Sequence, residues 1–103
     1  MNQFRVSDDA RSDLDEIWFY IAQDNPDAAD RFFAATKEAF DLLTSHPGIG
    51  RLRSFSLAGL RSWAVPGFES YLIFYLPTET ELHILAVRHG ARDLPKALEG
   101  RLD

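Results

Sequence analysis

The feature that most constrains this chain is a change of hydrophobic period at its midpoint. Before Pro47, apolar residues return every three or four positions. After Gly50 they alternate or run consecutively. The first pattern belongs to helices. Alternation, or a short continuous apolar run, belongs to strands. Helices grouped ahead of strands predict an α+β sandwich.

The helical half opens with a short strand, Phe4–Val6, bounded by Ser7. Ser7 is a good N-cap, and Asp8 and Asp9 then face the positive end of the helix dipole. Ala10, Leu14, Ile17, Trp18 and Ile21 mark one apolar helical face, and the helix is expected to end near Gln23. Asp9, Asp13 and Glu16 share another face, opposite the apolar stripe, where water is expected to solvate all three. General acid–base work needs desolvated carboxylates, so the acidic face reads as solvated surface. Asn25-Pro26 restarts the helix as N-cap and first helical residue. Ala29, Phe32, Phe33, Thr36, Phe40 and Leu43 mark the second apolar face, and Ser45-His46-Pro47-Gly48-Ile49-Gly50 stops it, with His46 at its C-terminal end. So short a break between two apolar-faced helices predicts an antiparallel hairpin.

In the β half, Arg51–Gly59 reads as loop, Leu60–Val65 as a strand and Pro66-Gly67 as a turn. Tyr71–Leu76 is continuous and aromatic-rich, a central strand buried on both faces. Pro77–Thr80 is a hairpin loop leading into Glu81–His89, whose inner residues Ile84–Val87 are again apolar without interruption. Gly90 ends that strand, and Leu94, Leu98 and Leu102 suggest a short C-terminal helix. The expected order is β-α-α-β-β-β-α in one domain, residues 1–103. The hairpin covers one face of a mainly antiparallel sheet, and the C-terminal helix or a partner covers the other.

Chemistry narrows by elimination. The chain has no cysteine, which removes disulfides, thiolate metal sites and a thiol nucleophile. His46, His83 and His89 are the only histidines. They form no H-E-x-x-H, and His83 and His89 would stand roughly 20 Å apart on one strand. His83 reads as an exposed strand residue. No metal or cofactor is expected. No serine lies in G-x-S-x-G, and Gly48-Ile49-Gly50 lacks the rest of a phosphate loop. The longest apolar runs have six residues, short of the ~20 that cross a bilayer, and the first residues show no basic-then-apolar signal. A cytoplasmic protein without membrane contact is expected.

The net charge is −5, but it is unevenly spread. Residues 1–50 carry ten acids and four bases, whereas residues 51–103 carry six acids and seven bases. Arg51, Arg53 and Arg61 lie in a stretch without acids, and Arg88, Arg92 and Lys96 form a second group. An acidic chain repels phosphate backbones, so direct nucleic-acid binding is not expected. The remaining candidates are Arg61, Arg88, His89 and Arg92 with the aromatics Trp63, Tyr71 and Tyr75. Arginines beside aromatics can clamp a phosphate and stack a base, with a histidine as general acid in RNA cleavage. The plainer reading, ion pairs of Arg61 and Arg88 with Asp93 and the acidic helices or contacts to a partner, is favoured.

Several fragments are recognisable together: Asp13-Leu14-Asp15-Glu16-Ile17-Trp18-Phe19-Tyr20-Ile21-Ala22, Asn25-Pro26-Asp27-Ala28-Ala29-Asp30-Arg31-Phe32 and His46-Pro47-Gly48-Ile49-Gly50-Arg51. Gly59-Leu60-Arg61-Ser62, Tyr71–Tyr75 and the ending Val87-Arg88-His89-Gly90-Ala91-Arg92-Asp93-Leu94 complete the set. In this order, from about residue 5 to 95, the chain resembles the ParE toxins of bacterial type II toxin–antitoxin modules, within the RelE/ParE superfamily. The resemblance implies the β-α-α-β-β-β-α fold and a toxin neutralised by a ParD-like antitoxin, in an assembly of two toxins with two antitoxins. It implies that the toxin is plasmid- or chromosome-encoded, serves plasmid stabilisation and poisons DNA gyrase by trapping its cleavage complex, through binding and with no catalytic residue. RelE relatives instead cut mRNA on the ribosome; an inactive module that only binds antitoxin is a third reading. This chain departs from the RelE pattern: no tyrosine follows Tyr75, and the second half has one lysine. Arg61, Trp63, Tyr71, Tyr75, Arg88, His89 and Arg92 are the expected contacts to antitoxin or target, since tryptophan and arginine are frequent interface anchors.

Overall fold

The computed structural model describes residues 3–53 and 57–90. The elements are β1 (Phe4–Val6), α1 (Asp8–Ala22), α2 (Pro26–Ser45), β2 (Arg51–Leu52), β3 (Arg61–Val65), β4 (Phe68–Pro77) and β5 (Leu82–His89). The strands form one sheet in the order β1-β5-β4-β3-β2. β1 runs parallel to β5 and every other pair is antiparallel. The helical hairpin lies on one face, so the α+β sandwich is as the periods predict. β2 is an addition, because the segment after Gly50 reads as loop. The proposed C-terminal helix, with Leu94, Leu98 and Leu102, lies outside the described residues, as does Arg92.

Ser7 is where strand becomes helix. Its N–H donates to the Ile84 carbonyl at 3.0 Å, extending the β1–β5 ladder. Its Oγ accepts from the Ala10 N–H at 3.0 Å, satisfying a donor that the first helical turn leaves free. The same hydroxyl reaches the Leu85 carbonyl at 3.3 Å. Asn25 repeats the device: its Oδ1 accepts from the Ala28 N–H at 3.1 Å, and Pro26 follows where no donor is needed. His46 is the C-cap of α2.

The main core lies between hairpin and sheet. Phe32, Phe40 and Leu43 of α2 meet Val65, Ile73, Tyr75, Leu82, Ile84 and Val87 of the sheet. Phe32 stacks edge-on against both Phe68 and Tyr71, at centroid distances of 5.4 and 5.5 Å. Thr36 and Thr44 are buried in α2 because each hydroxyl donates to a carbonyl one turn back, Phe32 and Phe40. Phe33, expected with the core, is instead 41% exposed. It sits one position round the helix from Phe32 and lies near Trp18 of α1.

A second, smaller cluster of Leu60, Phe74 and Ala86 has Leu57, Leu72 and Leu85 packed against it. Adjacent residues of β4 join different clusters, Phe74 this one and Ile73 and Tyr75 the main core, as strand alternation requires. In β5 the alternation is broken by a register shift: Phe74 pairs with Ala86 and Tyr75 with Ile84, so Leu85 is the extra residue of a bulge. Ile84 and Val87 thereby both join the main core while Leu85 and Ala86 join the other cluster. This accounts for the uninterrupted apolar run read from the sequence.

One sequence expectation is overturned in α1. Asp13 is not solvated: only 3% of it is exposed. At roughly 100° per residue, Asp13 sits about 40° from Ile17, on the margin of the apolar stripe. Its Oδ2 accepts the Val87 N–H at 3.0 Å, and its Oδ1 lies 3.6 Å from Arg88 Nη2. Asp13→Ala strips the acceptor from a buried N–H and the partner from a cation. We expect a loss of about 2–4 kcal/mol in urea unfolding, against a smaller loss for Asp13→Asn, which keeps an acceptor oxygen.

Candidate functional site

The sequence candidates divide between two places. At the first, Tyr75 in β4 and Arg61 in β3 stand opposite each other across the ladder. Tyr75 is fully buried, and its hydroxyl is spent on the loop after α2. It donates to the Pro47 carbonyl and accepts from the Gly50 N–H, both at 2.9 Å. The Arg61 guanidinium donates to the carbonyls of Gly48 at 3.2 Å and Gly50 at 2.8 Å. Gly50 is required here because a Cβ would overlap the Tyr75 hydroxyl. Tyr75, expected to touch a partner, is therefore a loop latch with no surface of its own. Arg61 meets backbone carbonyls rather than the acidic helices.

At the second place, Tyr71, Arg88 and His89 line a cleft of about 420 Å³ together with Glu16, Tyr20 and Ser70. β4 and β5 supply one wall and α1 the other. Register sets Tyr71 opposite His89, with the rings edge-on at 5.6 Å, and Leu72 opposite Arg88. Arg88 faces the Asp13 carboxylate, as the ion-pair reading expected of an acidic helix. Its Nε–H is buried without an acceptor among the described residues, as is Trp63 Nε1–H. Trp63 pairs with Ile73 and packs against the main core, apart from the residues lining this cleft. His83 is partly exposed and faces Glu81 at 3.0 Å, in line with its reading as a surface residue. No group of three histidine or carboxylate side chains among the described residues can hold a metal ion.

Sequence reasoning missed two features. Phe19 and Tyr20 are 66% and 68% exposed on α1, although they sit in its longest apolar run. Their angular offset from Ile17 and Ile21 is the signal that could have found them. The other is an apolar groove of about 610 Å³ where α1 and α2 meet β1, lined by Phe4, Val6, Leu14, Phe33 and Phe40, with Arg11 and Lys37 beside them. No helix among the described residues is long and apolar enough to cross a membrane.

Burial pushes the Tyr75 hydroxyl above its ordinary pKa of 10.0; the Gly50 hydrogen bond and the Arg61 charge oppose the shift more weakly. The sign follows from linkage. The unfolded chain ionises first, so the Tyr75 contribution is fully present below pH 10.0 and is lost as pH rises through the folded value. Urea midpoints are expected to fall above that pH. Tyr75→Phe is expected to lower stability at neutral pH by about 1–3 kcal/mol, because the Gly50 N–H loses its acceptor, and to flatten the alkaline fall.

The sequence and the fold both have known relatives. A family model described as "ParE toxin of type II toxin-antitoxin system, parDE" matches residues 4–94. The protein named Toxin RelE2 of Caulobacter vibrioides is 39% identical over 83 residues, spanning 81% of this chain and 89% of that one. A solved chain from the "Chromosomal ParDE TA system from P. aeruginosa" superposes with a TM-score of 0.71, covering 86% of this chain and 96% of that chain. At 21% identity, that likeness speaks for the fold. Matched over nearly its whole length, this chain belongs to the ParE toxin family of type II toxin–antitoxin systems.

Proposed function

We propose that this toxin acts in the cytoplasm by poisoning DNA gyrase, holding it on cleaved DNA, and that a ParD-like antitoxin neutralises it in an assembly of two toxins with two antitoxins. Plasmid stabilisation is the corresponding biological role. The observation that carries the reading is the family match over residues 4–94. The placement of the candidate residues supports a toxin that binds without catalysing a reaction. A ribonuclease site built on Arg61, Arg88, His89 and Arg92 would need these side chains on one substrate; Arg92 lies outside the described residues. Arg61 is level with Tyr75 on β4, whereas Arg88 is level with Leu72, about 10 Å further along. Arg61 and Arg88 also face groups of the protein itself: the loop carbonyls and Asp13. The net charge of −5 is a poor match to a ribosomal RNA surface.

Purified chain added to gyrase and supercoiled plasmid is expected to inhibit supercoiling and to give an accumulation of cleaved, protein-linked DNA. Induced cells should keep full-length mRNA while replication stalls. Cleaved mRNA with no trapped gyrase complex would replace this reading with the RelE one. Normal growth on induction without antitoxin, of a chain that still binds the antitoxin, would mark an inactive module.

A further inference from the structure

The loop after α2 is held far more firmly than a connection requires. Between Pro47 and Arg53, four side-chain hydrogen bonds from Tyr75 and Arg61 fix the backbone at Pro47, Gly48 and Gly50. Arg53 adds two more, from its N–H to the Leu60 carbonyl at 2.7 Å and from its Nε to Ser62 Oγ at 2.9 Å. What this framework displays is apolar: Ile49 is 41% exposed and Leu52 55%. Leu52 lies in β2, at the end of the sheet. The Arg53-to-Leu60 bond makes Arg51–Ser62 the next hydrogen-bonded pair, so the ladder's alternation turns the Leu52 N–H and C=O away from β3. Among the described residues, an apolar side chain and a backbone donor and acceptor that β3 does not use thus stand together on this edge.

The charge around that edge says what fits it. No acidic residue occurs between Asp41 and Glu69, while Arg51, Arg53 and Arg61 do. Arg51 is exposed beside Leu52. In a chain of net charge −5 this is a local basic edge, and it complements an acidic strand. A second copy of the chain is a poor occupant, since edge-to-edge pairing would bring two copies of Arg51 together.

We propose that the open edge of β2 is a preformed docking edge for a short extended segment of the antitoxin, one that alternates acidic and apolar residues and adds as a strand beside Leu52. This rests on the reading above that a ParD-like antitoxin neutralises the chain. Main-chain hydrogen bonds to Leu52 supply affinity, while Ile49, Leu52 and Arg51 select the side chains. The latch cuts the ordering cost of binding, because the loop is already in its bound shape.

The test is amide hydrogen exchange on the full chain, alone and in complex with the ParD-like protein of the neighbouring reading frame. The Leu52 amide is expected to exchange at least about tenfold more slowly in the complex. Leu52→Pro removes an N–H that β3 does not use, and Arg51→Glu reverses an exposed charge. Each is expected to weaken antitoxin binding by about tenfold or more, equivalent to about 1.4 kcal/mol. The Arg51→Glu effect should shrink as salt rises, and that variant should keep the parent's urea midpoint. Equal Leu52 exchange in free and bound chain, or parental affinity in both variants, overturns the proposal while leaving the toxin–antitoxin reading intact. Leu52 protection in the free chain that grows with protein concentration overturns it in favour of self-pairing. Failure of the unmodified chain to bind the antitoxin overturns the underlying reading and this proposal with it.

Discussion

A single buried carboxylate ties the two halves of this protein together. Asp13 leaves the polar side of α1, passes the edge of the apolar stripe and accepts the backbone N–H of Val87 in β5. Hydrophobic contacts hold the hairpin on the sheet but are not directional. A hydrogen bond from a side chain to one strand amide fixes the helix in one position along that strand. Asp13 also sets the place of Arg88, whose guanidinium faces it, and so shapes the cleft in which Tyr71 and His89 meet α1. A buried anion is tolerated there because a donor and a cation both face it.

The fold was largely legible because its signals are local. Ser7 and Asn25 announce helix starts by chemistry that acts within three residues. The period change at Pro47 separates the helical and β halves without any knowledge of their packing. The candidate site was less legible because its geometry depends on contacts distant in sequence. Tyr75 reads as one more aromatic in an apolar strand. Its role follows from a loop 25 residues earlier, where Gly50 approaches its hydroxyl. Asp13 was misread for a related reason: a helical pattern gives angles, not the width of the buried face, and β5 reaches further round α1 than the apolar stripe suggests. β2 escaped notice because two residues are too few to show a period.

The molecule is acidic where it is helical and basic at one edge of its sheet. That division, with Tyr75 and Arg61 turned inward to hold a loop, describes a protein whose polar side chains build and present surfaces. Membership of the ParE family gives those surfaces a context, that of a toxin in a toxin–antitoxin system.

The pairing of β1 with β5 has a consequence for how such a toxin comes into being. Phe4, near the start of the chain, is level with Leu82. β5 lies between β1 and β4, so β1 has no strand to pair with until residues 82–89 are available. On the ribosome, α2 can pack on β3 and β4 as they emerge, whereas β1 and the face of α1 that meets β5 must wait for residues 82–89. At ~5–20 residues per second that interval is several seconds long. Contacts this far apart in sequence also close slowly, because the loop entropy is lost before the pairing compensates. The complete sheet, with the surfaces it presents, therefore exists only after most of the chain has been made.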